Sequence, residues 1–299
     1  MKRGRKEANW QDKYIAIKEY CEETGAPITI MCKMAGVVRS AYYKWMNRPE
    51  SKFDKENAAI LDVMIQLYTE VKGIYGYWRM KININRRLGK KYNHRRILRL
   101  MNSINMKSII RKKKKNYIPS TPQITAENVL NRKFHADKPN EKWLTDVTEF
   151  KLKDGKKAYL SAILDLHDNS IVSYVLGHSN NNRLVFETFD LAVAANPDAS
   201  PLFHSDRGFQ YTSKAFKMKL DDIMAIQSMS QVSRCIDNGP MEGFWGIIKS
   251  EMYYLQKFYD FNELRQSIDK YMHFYNTKRL QEKLKGLTPT EYRNQTLIA

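Results

Sequence analysis

The sequence contains few cysteines and no long apolar run. Only three of its 299 residues are cysteines, Cys21, Cys32 and Cys235, and their spacing matches neither a disulfide framework nor a cysteine-rich zinc site. No apolar segment approaches the length of a membrane-spanning helix, and the basic N-terminus lacks the apolar stretch of a signal peptide. These absences predict a soluble cytoplasmic protein with no membrane partner.

Acidic residues are absent between Val71 and Ala126, where sixteen lysines and arginines occur. The chain carries a formal net charge of +19, and the first 120 residues hold 28 Lys+Arg against 10 Asp+Glu, whereas the remainder is almost balanced. A surface this one-sided predicts salt-dependent binding to nucleic acid, because neutralised phosphates release their counterions. The alternative is that these lysines and arginines only keep the protein soluble.

The N-terminal part of the chain is predicted to be helical. In region 1–52, the apolar spacing indicates short helices, with a turn at Gly36 and a last helix that Ser40 can cap. This order is that of a helix-turn-helix or of an ordinary helical hairpin. A comparable unit recurs in region 53–110, which we predict to be a helix-turn-helix DNA-binding domain.

The last helix of region 53–110 is basic. Asn93 can cap it, and Ile97, Leu98 and Met101 are expected to face the core. Its outer face is then suited to lie against DNA, although a solvated basic face is the alternative. The side chains predicted to contact DNA from this helix are Arg95, Arg96 and Arg99.

A linker is predicted at 111–138, because this stretch combines a basic run with prolines and has no sustained apolar period. Lys112 and Lys113, within the basic run, are predicted to bind DNA. The sequence does not decide between a plain interdomain linker and an extended arm that holds DNA.

From residue 139 the pattern changes from helical to alternating and β-branched. It predicts three antiparallel strands, a helix, a short buried strand, a second helix, a fifth strand and a long helix from Gly239 to Leu255. The predicted fold is therefore an α/β ribonuclease-H-like core at 139–256, a mixed five-stranded sheet with flanking helices, which follows the all-α helix-turn-helix region. A helical tail is predicted at 257–299.

Three carboxylates of this core are candidate catalytic residues and metal ligands. Asp146 lies inside an otherwise apolar strand, where an ionised carboxylate is costly unless its charge is compensated. Asp206 directly follows the short fourth strand, at the end where catalytic groups of α/β sheets gather. Glu242 is near the start of the long helix. Such oxygen ligands suit Mg²⁺ (or Mn²⁺), and two ions could clamp the attacking and leaving oxygens of a phosphoryl transfer.

Neighbouring side chains could hold the phosphates of DNA. Lys249 is two helical turns after Glu242 and therefore shares its helix face. Arg207 and Gln210 supply donors beside Asp206. Taken singly, each acid could instead be a surface residue, a helix cap or a salt-bridge partner, and Asp165, at the end of the second strand, is an alternative ligand by position.

Together these segments resemble the catalytic subunits of bacterial insertion sequences, the orfB class of transposases with a retroviral-integrase-type core. The segments WLTDVT around Asp146 and HSDRGFQY around Asp206 are similar to the family's first two acidic motifs. Thirty-five residues separate Asp206 from Glu242, the spacing of the family's Asp, Asp, thirty-five, Glu signature, and Lys249 falls at its basic position. Similar blocks occur at 40–45, 75–79 and 271–292, although Trp78 stands where the family pattern has arginine.

The resemblance implies a DNA transposase that performs DNA integration and recombination. Asp146, Asp206 and Glu242 would bind Mg²⁺ or Mn²⁺, as two ions, for 3′-end cleavage and strand transfer. The implied partners are DNA, as terminal inverted repeats and target, and further copies of the chain on paired ends, with an upstream orfA product as a further candidate. A nucleoid-associated bacterial protein would follow.

Two other functions fit the same sequence features. One is a DNA-binding regulator whose ribonuclease-H-like domain is catalytically inactive. The presence of Asp146, Asp206, Glu242 and Lys249 argues against such a loss of activity. The other is a nuclease of the same fold, such as a ribonuclease H or a junction nuclease, which the basic N-terminal half and the C-terminal blocks fit less well.

Overall fold

A computed structural model of the chain describes residues 10–49, 51–110, 128–131, 133–230 and 238–298. The chain divides into two compact units, 1–62 and 63–299, and the division falls within the long helix α4 (Lys52–Glu70). The second unit therefore combines most of the predicted helix-turn-helix domain with the predicted core and tail. In the ranges described, no helix is both long and apolar enough to cross a membrane.

Among its described residues, the first unit contains three short helices before α4. They are α1 (Trp10–Thr24), α2 (Ile28–Met34) and α3 (Arg39–Met46). Their small core consists of Ile17, Cys32, Val37 and Tyr42. Gly36 adopts a positive φ of 66° at the predicted turn between α2 and α3, which glycine tolerates without strain. Ser40 does not cap α3, because this helix begins at Arg39 after Val38, which makes no side-chain capping bond.

The second unit begins with a helix-turn-helix segment formed by α5 (Tyr77–Leu88) and α6 (His94–Ser103). Gly89, with a φ of 61°, ends α5, and the side chain of Asn93 caps α6 by accepting a hydrogen bond from the backbone of Arg95 at 2.9 Å. The buried side chains of α6 are Ile97, Leu100 and Met101. The expectation that Leu98 faces the core is wrong: it is 37% exposed, because it lies on the side of the helix opposite Leu100.

The centre of the second unit is a mixed five-stranded sheet with the strand order β3-β2-β1-β4-β5. The strands are β1 (Lys142–Lys151), β2 (Lys157–Asp165), β3 (Ile171–Gly177), β4 (Leu202–Ser205) and β5 (Ile226–Met229). The first three strands are antiparallel, whereas β4 is parallel to β1 and β5 is parallel to β4. This is the predicted ribonuclease-H-like arrangement.

Helices cover both faces of the sheet. One face packs against α7 (Asn182–Ala195) and α8 (Lys214–Asp222), and the other packs against α9 (Gly239–Glu251) and α10 (Phe261–Thr277). Side chains of β1 alternate between these faces, so that Trp143 joins the α7 and α8 core while Leu144 joins the α9 and α10 core. By this alternation Asp146 faces α9.

The C-terminal region of the second unit is helical. The long helix α9 ends at Glu251, earlier than expected, and a short 3₁₀ turn at Tyr253–Leu255 follows it. Helix α10 is capped by Asp260, whose side chain accepts from the backbone N–H of Glu263 at 2.9 Å. The last helix is α11 (Pro289–Ile298).

Candidate active site

Two of the candidate carboxylates come together where two strands stop pairing. β4 pairs with β1 only from Lys142 to Leu144, and beyond this point β1 continues along β2. Asp146 lies two residues further along β1, and Asp206 directly follows β4. Because β1 and β4 are parallel, both carboxylates lie at the same end of the sheet, and the charge of Asp206 raises the pKa of Asp146.

Asp146 is held by one hydrogen bond to each carboxylate oxygen. Its Oδ1 accepts from the backbone N–H of Val147 at 2.8 Å, and its Oδ2 accepts from the indole Nε1 of Trp245 on α9 at 2.9 Å. Burial first, and then the charges of Asp206 and Glu242, raise the pKa of Asp146 to about 7 in spite of these two donors. Negative charge at this position is therefore costly unless a cation balances it.

Asp206 occupies a tight loop at the end of β4. Its Oδ1 accepts a hydrogen bond from the backbone N–H of Gly208 at 2.9 Å. The residue as a whole is exposed, but the loss of water around its carboxylate raises the pKa of Asp206. A Cβ atom at Gly208 would come within 2.7 Å of Gln210 Oε1 and 3.0 Å of Asp206 Oδ1. A larger residue here would therefore push the side-chain ends of Gln210 and Asp206 away from their present positions.

Four side chains spaced four, three and four residues apart lie along the side of α9 that faces β1. They are Asn238, Glu242, Trp245 and Lys249. Asn238, just before the helix, donates from Nδ2 to the backbone carbonyl of Thr145 at 3.0 Å, and Trp245 donates to Asp146. These two contacts fix the first two turns of α9 to β1, and Glu242 lies between them on the same side of the helix.

Lys249 is the cation of this crevice. Its ammonium group lies over the ring of Phe150 at 5.4 Å from the centroid. Burial lowers its pKa, while the charges of Asp146 and Glu149 raise it. Of the three candidate carboxylates, Asp146 is therefore the one whose charge acts on the partly buried Lys249.

The candidate carboxylates are of the type that binds divalent cations, but they are not gathered around one point. Among the described residues, no three His, Cys, Asp or Glu side chains stand close enough together to hold a metal ion. Glu242 is exposed on the first turn of α9, and within the described ranges its carboxylate accepts no hydrogen bond, so a change of rotamer breaks none. Three hard oxygen donors with raised pKa values fit Mg²⁺ or Mn²⁺, provided that Glu242 turns toward the two aspartates.

The side chains predicted to bind DNA beside Asp206 are engaged within the protein. Arg207 donates from Nε to the backbone carbonyl of Ser230 at 2.7 Å. Gln210 is 2% exposed, and its Nε2 donates to Asn180 Oδ1 at 2.5 Å. Arg207 keeps part of its surface accessible, whereas Gln210 would have to leave its buried position to reach a phosphate.

The basic residues predicted to contact DNA from the N-terminal helices lie far along the chain from the carboxylates. Arg95 and Arg99 are exposed on α6, and Arg96 lies over the ring of Tyr92 at 5.2 Å. Lys112 and Lys113 lie outside the described residues. DNA contact by any of these side chains stays a prediction.

Asp165, the positional alternative to Asp146, belongs to a different network. It is fully buried and accepts from the backbone N–H groups of Asn140 at 2.7 Å and His167 at 2.9 Å. Arg293 of α11 bridges it to the equally buried Asp168. These contacts occupy its oxygens and tie α11 to the sheet, so Asp165 has a structural role.

The contacts of Trp245 and Asn238 were not anticipated from the sequence. The available signal was the spacing, because Trp245 is three residues after Glu242 and four before Lys249, on the same helix face. A polar indole N–H on that face needs an acceptor when it is buried, and Asp146 is the acceptor that the fold brings to it.

Comparison with known proteins identifies the family to which the chain belongs. The integrase core domain family matches residues 136–235 and 242–297, and an HTH-like domain family matches residues 55–114. A catalytic core domain of HTLV-2 integrase in complex with magnesium is similar over 52% of this chain and 98% of that chain, with 20% identity and a TM-score of 0.43.

Full-length relatives are more informative. The putative transposase InsK for insertion sequence element IS150 of Escherichia coli K12 is 38% identical over 276 residues, which are 91% of this chain and 95% of the relative. A transposase-like protein of Haemophilus influenzae is 41% identical over 69% of this chain and 95% of its own length. The transposase for IS904 of Lactococcus lactis is 30% identical over 83% of this chain and 98% of its own.

The chain therefore belongs to the transposases of insertion sequences, enzymes of the DDE transposase and integrase class with a ribonuclease-H-like core.

Proposed function

We propose that this transposase cleaves the 3′ ends of an insertion sequence and joins them to target DNA at a site formed by Asp146, Asp206 and Glu242. The observation that carries the proposal is the convergence on one crevice of a carboxylate from β1, a carboxylate from the end of β4 and a helix face that bears Glu242 and Lys249. Family membership supports the reaction class.

The proposed reaction consists of two phosphoryl transfers. In the first, the oxygen of a water molecule attacks a phosphorus at the element's end, and the 3′ oxygen leaves with a proton as a hydroxyl group. In the second, that hydroxyl attacks a target phosphodiester and displaces another 3′ oxygen. Neither transfer needs a covalent bond to the protein, so no serine or tyrosine nucleophile is required.

The three carboxylates are proposed to hold divalent ions, Mg²⁺ or Mn²⁺, as a pair. When bound, such ions stabilise charge on phosphoryl oxygens and increase the acidity of water. Trp245 and the backbone of Val147 orient Asp146, and the N–H of Gly208 orients Asp206. Lys249, beside Asp146, is proposed to bind a phosphate of the DNA that enters the crevice.

The proposed partners follow from the reaction. Two element ends must be joined in one complex, so several copies of the chain are expected on paired terminal inverted repeats, with target DNA as the third component. The basic residues between Val71 and Ala126 supply positive charge for these DNA contacts. A product of an upstream orfA frame is a further proposed partner.

The test is the substitution Asp206→Asn, with Asp198→Asn as a matched control at an exposed position outside the crevice. Labelled terminal-repeat DNA is incubated with each protein and Mg²⁺, and both cleaved and joined products are measured. We expect Asp206→Asn to lower the yield of both at least about a thousandfold, since a lost ligand removes several kcal/mol of transition-state stabilisation. Binding of the ends should persist.

Three outcomes would contradict the proposal. Full activity of Asp206→Asn would exclude this carboxylate from the site. Nicked DNA without joined DNA from the unmodified protein would indicate a nuclease of the same fold. End binding without any cleavage would indicate a regulator with an idle core.

A further inference from the structure

Glu251, the last residue of α9, is a buried carboxylate outside the candidate active site. Its side chain is 1% exposed, and three donors from different parts of the second unit surround it. Arg79 of α5 donates from Nη1 to Oε1 at 2.6 Å, Arg279 donates to both oxygens at 2.9 and 3.0 Å, and Tyr271 Oη donates to Oε2 at 2.9 Å. The carboxylate thus connects the helix-turn-helix segment with the core and the C-terminal region.

The charges of this cluster are compensated so that Glu251 stays ionised. Burial alone would raise the pKa of Glu251, but Arg279 and then Arg79 outweigh that effect and lower it. Arg279 is itself 3% exposed at its side chain, whereas Arg79 is 27% exposed and lies over the ring of Tyr75 at 5.6 Å. Glu251 and Arg279 therefore form the inner pair, and Arg79 adds a link from α5.

Glu251 is connected to the candidate active site through helix α9, which carries both Glu251 and Glu242. Glu251 is nine residues after Glu242 on the same helix, a separation of about 14 Å along the axis of a rigid element. On the other side, Arg79 belongs to the first turn of α5, and Gly89 and the Asn93 cap join α5 to α6. The contact between Arg79 and Glu251 is thus one connection between the helix-turn-helix segment and the helix that carries Glu242.

A second contact supports the same docking of α5. Arg86, seven residues after Arg79 and therefore on the same helix face, forms a two-pronged ion pair with Glu291 of α11, with Nη1 and Oε2 at 2.9 Å. By contrast, Arg87 pairs with Glu70 at the end of α4, within the N-terminal helices. The face of α5 that carries Arg79 and Arg86 thus contacts α9 and α11, whereas Arg87 contacts α4.

We propose that Arg79 and Glu251 are positioning residues that hold the helix-turn-helix segment at a fixed offset from the active site, and so determine which phosphodiester of a bound element end is cleaved. This inference rests on the proposed end cleavage. A segment that reads DNA and a site that cuts it must keep a constant separation for one bond to be chosen, and an ion pair buried between them restricts their relative motion.

The chain offers a matched pair of variants for the test. Arg79→Leu breaks the link while Glu251 keeps Arg279 and Tyr271 as partners, so the core retains its buried ion pair. Arg87→Leu removes an arginine from the same helix without touching the core. Arg79→Lys retains a positive charge that can reach Glu251.

The experiment maps cleavage of end-labelled terminal-repeat DNA at single-nucleotide resolution. We expect one principal cleavage position for the unmodified protein and for Arg87→Leu. Arg79→Leu should spread cleavage over neighbouring phosphates, so that the principal position loses at least about half of its share, and Arg79→Lys should restore part of it. Nicking of unrelated DNA with Mn²⁺ should stay within about twofold of the unmodified protein, which a general loss of structure would not allow.

Hydrogen exchange provides a readout independent of activity. Backbone amides of α5 should exchange at least about fivefold faster in Arg79→Leu than in Arg87→Leu, with little change in β1. A single unchanged cleavage position in Arg79→Leu, with normal cleavage by the unmodified protein, would overturn the positioning role alone. If the unmodified protein leaves every end uncut, the proposed function fails and the positioning role fails with it.

Discussion

Asp146 is the residue on which the candidate site depends most closely. A strand interior is a costly position for a carboxylate, and its burial together with Asp206 raises its pKa to about 7. Two N–H donors nevertheless fix both of its oxygens before any cation arrives. An oriented ligand loses less conformational freedom when an ion binds, so the donor from Trp245 should strengthen ion binding.

We predict that Trp245→Phe weakens the binding of Mg²⁺ about tenfold, because phenylalanine keeps an aromatic ring at this position but lacks the N–H donor. The measurements are the Mg²⁺ concentration that gives half-maximal strand transfer and the Mg²⁺ concentration that gives half of the maximal increase in melting temperature. At saturating Mg²⁺, most of the activity should return, which a purely structural defect would not permit.

The control for this variant is Trp10→Phe, which removes an exposed indole of α1 from outside the sheet. It should leave both half-saturation concentrations unchanged. An unaltered Mg²⁺ requirement in Trp245→Phe would show that the indole contributes only packing to α9.

At the scale of elements, the sequence predicted the strands and helices of the core closely. The alternation in β1 and the glycine and asparagine signals around α5 and α6 depend on neighbours in the chain, which a sequence displays directly. The acidic motifs also indicate Asp146, Asp206 and Glu242, whose catalytic role stays a prediction. Leu98 was assigned to the wrong side of α6, because its apolar nature alone does not determine which face is buried.

Contacts between distant elements could not be predicted in this way. Arg79 and Glu251 are separated by 172 residues, and Asp165 and Arg293 by 128. In the sequence, each of these charged residues is of a type that usually lies at the surface. Only the packing of α5, α9 and α11 on the sheet brings the partners together. The candidate metal site is intermediate, because motif spacing indicates its proposed members, whereas the exposed position of Glu242 on the first turn of α9 is visible only in the fold.

The attachment of α11 to α5 is expected to depend on pH. The ion pair with Arg86 is the largest of several contacts that lower the pKa of Glu291 to about 2, and Glu291 also accepts from the backbone N–H of Thr288 at 3.0 Å. Because the folded pKa lies below the unfolded value of about 4.3, the contribution to stability is complete above that value and is lost as the pH falls toward 2. Both side chains are partly exposed, so solvent limits the contribution to about 1 kcal/mol or less.

We predict that Glu291→Gln reduces the loss of stability between pH 5 and pH 2.5, because glutamine can still accept from Thr288 but carries no charge to be neutralised. Denaturant unfolding at several pH values measures this slope. Glu282→Gln, an exposed change in the same region, should retain the slope of the unmodified protein. Equal slopes for both variants would mean that the pair with Arg86 contributes nothing to acid sensitivity.

At the scale of the whole molecule, the distribution of charge separates two tasks. The residues up to 120 carry a large positive excess, while the residues after them are nearly neutral in sum. General attraction to DNA is therefore expected to come from the N-terminal helices and the basic run, and the core adds a local crevice that combines carboxylates with Lys249. A neutral core avoids holding DNA at many unproductive positions across its surface.

This division predicts that part of the salt dependence of DNA binding arises from α6. The tested variant changes three arginines to glutamine: Arg95, Arg96 and Arg99. Each phosphate contact contributes about 0.9 to the slope of log affinity against log salt concentration, so losing all three should flatten the slope by up to about 2.7.

The control changes three exposed lysines to glutamine: Lys214, Lys270 and Lys283. Both variants lose the same net charge, so a general electrostatic effect would flatten both slopes equally and contradict a DNA contact at α6. Fluorescence anisotropy with terminal-repeat DNA between 50 and 300 mM salt, roughly the range over which counterion release dominates, provides the measurement.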